Sequence, residues 1–173
     1  MLSDSELVAN LAHYEVLYDS TSHDLRTMLL CSKASILEVC GWVEQAMDLL
    51  VLETATRCSL SSNRIKWIDE KYIQTTNGFS YQKHFEKMIV SVVGYRVLEV
   101  AEKAAGAQFQ VMTGTLTNIT PLRNHYAHTH FDLTHPFPKN MTGIPAPTTM
   151  KNHAQNANLG LKALEDQLIR LGC

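Results

Sequence analysis

The feature that most limits the fold is the stretch at residues 24–57, whose apolar positions recur every three or four residues. Leu29, Ser32, Ile36, Val39, Val43, Ala46 and Leu50 form one stripe with the period of an α-helix. Apolar residues also spill onto neighbouring faces. A helix that is apolar on more than one face has to be enclosed by other elements, so this one is expected to be the central core helix.

The rest of the chain reads as helices that would enclose it. Ser3 or Asp4 can cap a first helix whose apolar face is Leu7, Leu11, Tyr14 and Leu17. Ser20, Thr21 and Ser22 read as a break. Residues 59–63 read as a turn, and Ile65, Ile68 and Tyr72 as a short helix ending before Thr75, Thr76, Asn77 and Gly78. Residues 81–104 read as one helix, with Phe85, Ile89, Val92, Arg96 and Val100 at helical spacing. Val90, Val92, Val93 and Val97 favour strand by propensity, but length and the flanking Lys, Glu and Ala favour helix. Gly106 breaks the chain again, and Phe109, Met112, Leu116 and Ile119 form the next stripe. Thr120 and Pro121 make an N-cap and first-turn pair, so a motif helix is expected to restart or kink there and cover about residues 121–131. Pro136, Pro138, Gly143, Pro145 and Pro147 predict a loop over about 132–148. A final helix over about 149–171 carries Leu161, Leu164, Leu168 and Leu171. No hairpin signal appears. The expected fold is one all-α domain, a bundle of about five to six helices.

Composition excludes several classes. The chain has 173 residues, 45% hydrophobic and 18% charged, which fits an ordered globular domain rather than a disordered one. The net charge of −2 argues against broad, charge-driven nucleic-acid binding. Charge is uneven, however. Residues 103–164 hold a single acid, Asp132, against Lys103, Arg123, Lys139, Lys151 and Lys162. His125, His128, His130, His135 and His153 lie in the same stretch, leaving room for a local anion site. Cys31, Cys40, Cys58 and Cys173 form no CxxC pair, so reduced thiols are expected rather than a zinc site or a disulfide framework. The acidic start lacks the order of a signal peptide, and apolar runs such as residues 49–52 are too short to span a bilayer. A cytoplasmic protein without a membrane partner is the expectation.

The most informative run is Arg123-Asn124-His125-Tyr126-Ala127-His128. With Arg123, Asn124 and His128 at this spacing, late in a helical chain, the sequence resembles the HEPN superfamily, and within it the RiboL-PSP-like subgroup. Residues 32–44 resemble that family's early core helix, and residues 79–94 the helix before its motif helix. The likeness covers about residues 24–131. It implies an HEPN-like bundle, ribonuclease activity, a homodimer, and a role as a toxin or in defence against phage and foreign genes. A nuclease of this kind implies a restraining partner, an antitoxin or other regulatory protein.

The chemistry of the residues fits such a role. RNA is cleaved when its 2′-OH attacks the adjacent phosphorus, which needs a base, an acid and positive charge on the phosphoryl oxygens. Histidine titrates near neutrality and serves as base or acid. Arginine stays charged and offers a planar fork to phosphate. Arg123 and His128 are therefore the candidate catalytic residues, with Asn124 in support. His125, His130 and Lys139 are candidate RNA-steering residues. Helix N-H groups near Thr120 and Pro121 would add to anion binding. No metal or other cofactor is needed. Positions five apart on a helix lie roughly 140° apart, so Arg123 and His128 do not easily aim at one atom. A composite site across a homodimer, with one His128 as base and the other as acid, would resolve this.

Plainer readings stand beside these. Arg123 and His128 can be a surface ion pair or a capping set, in a bundle that only binds a nucleotide or partner. His125, His128, His130 and His135, with Asp132, can hold a metal. Tyr126 and Trp42 fit core packing, while Trp67 offers a ring for base stacking. Glu38 and Glu44 are both candidates to pair with Arg123. Asn118, Ile119 and Thr120 match a glycosylation acceptor, but nothing else points to secretion.

Overall fold

The computed structural model describes residues 3–21, 24–128 and 143–173. Among them are six α-helices and no strand. These are α1 (Ser5–Ser20), α2 (Leu25–Arg57), α3 (Ser62–Ile68), α4 (Glu86–Val93), α5 (Tyr95–His128) and α6 (Pro147–Arg170). Single π-helical turns at Asp69–Ile73 and Tyr81–Phe85 extend α3 and lead into α4. The fold is an all-α bundle. No helix among the described residues is long and apolar enough to cross a membrane.

The core helix is where its pattern places it. Asp24 caps α2 by accepting a 3.0 Å bond from the Arg26 amide. Ile36, Val39, Val43, Ala46 and Leu50 are fully buried on it, and α1, α5 and α6 pack around it. Each of the larger of these side chains, Ile36, Val39, Val43 and Leu50, contributes about 1.5–3 kcal/mol of burial. On α6, Leu161, Leu164 and Leu168 are buried, whereas Leu171, the cap residue just past its end, is exposed.

Helices α5 and α6 approach each other closely at Gly160. A Cβ there would lie 2.2 Å from Met112 Cβ and 2.8 Å from the Gln108 carbonyl oxygen. The two backbones meet at a distance that no side chain allows.

Two helix boundaries differ from the pattern. The expected single helix over 81–104 is two pieces, split at Gly94 (φ 78°, ψ 160°). The Gly94 amide closes α4 on Val90, and its carbonyl accepts from Leu98 to start α5. The split changes the buried face, so Leu98 and Ala101 are buried and Val100 is 48% exposed. Gly106 does interrupt helical geometry, as a kink inside α5 (φ 61°, ψ −133°).

The second difference bears on the motif. No helix starts at Pro121, which lies inside α5. The Thr120 hydroxyl donates back to the Leu116 carbonyl at 2.7 Å instead of capping. Pro121 leaves the carbonyl four residues back, on Thr117, without its helical donor. Both residues are exposed, so water can reach that carbonyl. The loop expected over 132–148 lies largely outside the described residues, and α6 begins at Pro147, slightly earlier than its pattern suggests.

Candidate functional site

Continuity of α5 decides how the motif is presented. Arg123 to His128 occupy the last turns of a long helix, not its beginning. The helix-start amides invoked for phosphate binding are therefore absent here. The local dipole end is the negative one, which favours cationic side chains, and His125 and His128 stand in the last turn.

Arg123 turns toward the core helix. Its Nη2 lies 3.8 Å from Glu44 Oε1, with the two side chains 26% and 27% exposed. This settles the pairing left open between Glu38 and Glu44. Glu38 lies elsewhere on α2, beside Tyr14 and lining a groove with Glu6, Asn10 and Trp42. A pair this long and this wet contributes on the order of 1 kcal/mol or less. Its larger effect is to hold a guanidinium at the boundary of solvent and core.

The surroundings of that pair are polar along one face of α2. Cys40, Glu44 and Asp48 are spaced by four and so share a face. Burial pushes the Cys40 thiol up to about 12, against the pull of Arg123. Burial, with Glu44 and Asp69 as like charges, pushes the Asp48 carboxyl up to about 6. His84, on the π-turn before α4, joins from the other side. Burial lowers its pKa, Glu44 opposes this, and Lys87, Lys83 and Arg123 add to it. Its Nδ1 is buried without a hydrogen-bond partner. Gly78 (φ 132°) covers it so closely that a Cβ there would come within 2.9 Å of Nδ1.

The sequence reading missed His84 and Asp48. The four-residue spacing of Cys40, Glu44 and Asp48 inside a core helix was the available signal for Asp48. Nothing local marks His84, because only the packing of its π-turn brings it near α2.

The other motif residues are distributed differently. His128 and Asn124 are exposed. His125 is half-buried and packs edge-on against Tyr126, with ring centroids 4.8 Å apart. Tyr126 is buried, as its spacing from His128 suggests. Helical geometry sets Arg123 and His128 roughly 140° apart, one facing α2 and the other exposed. Within one chain they do not point the same way. His130 and Lys139 lie outside the described residues, as do His135 and Asp132 of the metal alternative.

The tryptophans are both engaged. Trp42 is buried, and its Nε1 donates to the Ser3 carbonyl at 3.1 Å. Trp67 carries the Arg64 guanidinium 4.2 Å from its ring centre and meets Tyr72 edge-on.

No family model, curated protein or solved structure matches this chain, so the HEPN resemblance rests on the motif and its place in the helix order.

Proposed function

We propose that this protein is a metal-independent endoribonuclease acting on RNA as a homodimer, with Arg123 and His128 as its principal residues. The observation that carries the reading is the Arg123–Glu44 pair beside an exposed His128 at one helix end. Arg123 is tethered but still reachable, which suits a group that must neutralise a phosphoryl oxygen. His128 is exposed at the same end and free to be supplied to a partner's site. The helix makes the two diverge, and a two-fold axis is the simplest way to bring one chain's Arg123 and the other's His128 to one phosphate.

In that site, the 2′-oxygen forms a bond to phosphorus as one imidazole takes its proton. The bond to the 5′-oxygen breaks as the second imidazole protonates it. The products are a 2′,3′-cyclic phosphate and a 5′-hydroxyl. Asn124 supports the geometry, and His125, His130 and Lys139 steer the strand. The proposed setting is a toxin or anti-phage system in the cytoplasm, restrained by an antitoxin or regulatory protein.

One observation favours a second reading. Arg123 is directed at α2 rather than toward His128, as in a latch between two core helices. The protein would then be a non-catalytic module that binds a nucleotide or a partner. Digestion of end-labelled RNA by wild type, Arg123→Ala and His128→Ala separates the two. The nuclease reading requires cyclic-phosphate ends in the presence of chelator, lost in both variants. Cleavage that persists in both, or none by the wild type, leaves the binding module.

A further inference from the structure

The C-termini of α2 and α6 are built alike and meet. At the end of α2, Ser59 takes a left-handed conformation (φ 57°), its amide donates to the Thr56 carbonyl at 3.0 Å, and the Leu60 amide donates to Ala55 at 3.2 Å. At the end of α6, Gly172 does the same (φ 87°), donating to Ile169 at 3.0 Å while Cys173 donates to Leu168 at 2.9 Å. Both are Schellman closures, which fix the backbone just past the last turn. Cys58 is the cap residue of the first, and Cys173 is the outermost residue of the second.

Arg57 ties the two closures together. Its Nε donates to the Cys173 carbonyl at 3.0 Å, its Nη1 reaches Glu165 at 3.2 Å, and its Nη2 donates to Thr54 at 3.1 Å. A guanidinium between two helix C-termini also opposes the negative ends of both dipoles. Residue 58 is thereby held against residue 173, and the two thiols lie within hydrogen-bonding reach of each other. Both are partly exposed, whereas Cys31 and Cys40 are buried.

We propose that Cys58 and Cys173 are a redox modification site that closes into a disulfide by exchange with a low-molecular-weight disulfide. The Cys173 thiolate attacks one sulfur of that reagent, forming a mixed disulfide and releasing the first thiol. Cys58 then gives up its proton and attacks the Cys173 sulfur, and the second thiol leaves. The two protein thiols are oxidised, and one reagent disulfide is reduced to two thiols. The order follows from the surroundings: burial, reinforced by its neighbour Cys173, pushes the Cys58 thiol up to about 12. A thiol held protonated is a poor first nucleophile, but it serves as the resolving partner when the mixed disulfide forms beside it. The closed bond would staple the ends of α2 and α6, and it does not depend on the nuclease reading.

The test uses the intact chain, incubated natively with oxidised glutathione and analysed by intact mass, peptide mapping and thermal melting. The expected product has lost two hydrogens, retains no glutathione and yields one cross-linked peptide joining Cys58 to Cys173. Its Tm rises by several degrees and returns on reduction with dithiothreitol. Cys58→Ser and Cys173→Ser form no internal cross-link and show no such rise. A wild type that stays reduced, keeps a stable glutathione on either thiol or cross-links through Cys31 or Cys40 overturns the proposal.

Discussion

Arg123 of α5 and Glu44 of α2 form an ion pair across the bundle, 3.8 Å from Nη2 to Oε1, with about a quarter of each side chain open to solvent. That combination is loose for a structural lock. Arg123→Ala is therefore expected to change unfolding free energy in urea by no more than about 1 kcal/mol. RNA cleavage should fall more than about 100-fold in the same variant, because a lost electrostatic donor costs about that much. Glu44→Gln keeps the shape and removes the charge, and a loss of about tenfold or less is expected. A urea midpoint that collapses in either variant would identify the pair as a latch between helices.

Gly160→Ala is expected to destabilise the fold. The new methyl would meet Met112 Cβ at 2.2 Å and the Gln108 carbonyl at 2.8 Å, neither at the far end of a flexible side chain. Overpacking of this kind costs about 1–3 kcal/mol, exceeding the roughly 1 kcal/mol that alanine gains over glycine in a helix. Thermal melting should register the loss. An unchanged or higher Tm would mean that α5 and α6 separate without cost.

Ser59→Gly should stabilise the protein. Ser59 is the one non-glycine residue with positive φ among those described, at 57°. Relief of that conformation is expected to give roughly 0.5–1 kcal/mol, with Ser59→Ala giving none of it. Paired urea titrations check this, and equal midpoints for the two variants would count against a left-handed closure of α2.

Asp48→Asn is expected to stabilise the fold at pH 7 and not at pH 3. The folded state holds the Asp48 proton up to about pH 6, against an ordinary value of 3.8. Between those values the folded form binds more proton than the unfolded form, so stability falls as pH rises through the window. Above it, the cost of the buried charge remains. Because the side chain is only half-buried, the gain from asparagine is on the order of 1 kcal/mol once solvent screening is allowed for. Urea titrations from pH 3 to pH 7 should show the two proteins diverging across that interval. Parallel curves would mean that Asp48 ionises as an ordinary surface carboxylate.

Much of the architecture was legible because it is local. The stripe from Leu29 to Leu50 follows from period alone within a few residues, and it is present. So is the break at Gly106. Gly94 was not legible, because a lone glycine, here between Val93 and Tyr95, is tolerated inside a helical pattern and does not by itself mark an end. Pro121 misled for a related reason. Proline favours a first turn, yet an exposed position tolerates it inside a helix when solvent can serve the orphaned carbonyl.

The site divides in the same way. The sequence placed Arg123, Asn124 and His128 on one helix, with a fixed angle between Arg123 and His128, since helical period alone sets that angle. Tertiary structure chose Glu44 over Glu38, brought His84 toward Arg123 and Asp69 toward Asp48, and set Cys58 against Cys173. Those outcomes join residues far apart in the chain, and no local propensity encodes which distant side chains will meet. Packing of whole helices decides that, because each face is committed only when its neighbour is in place.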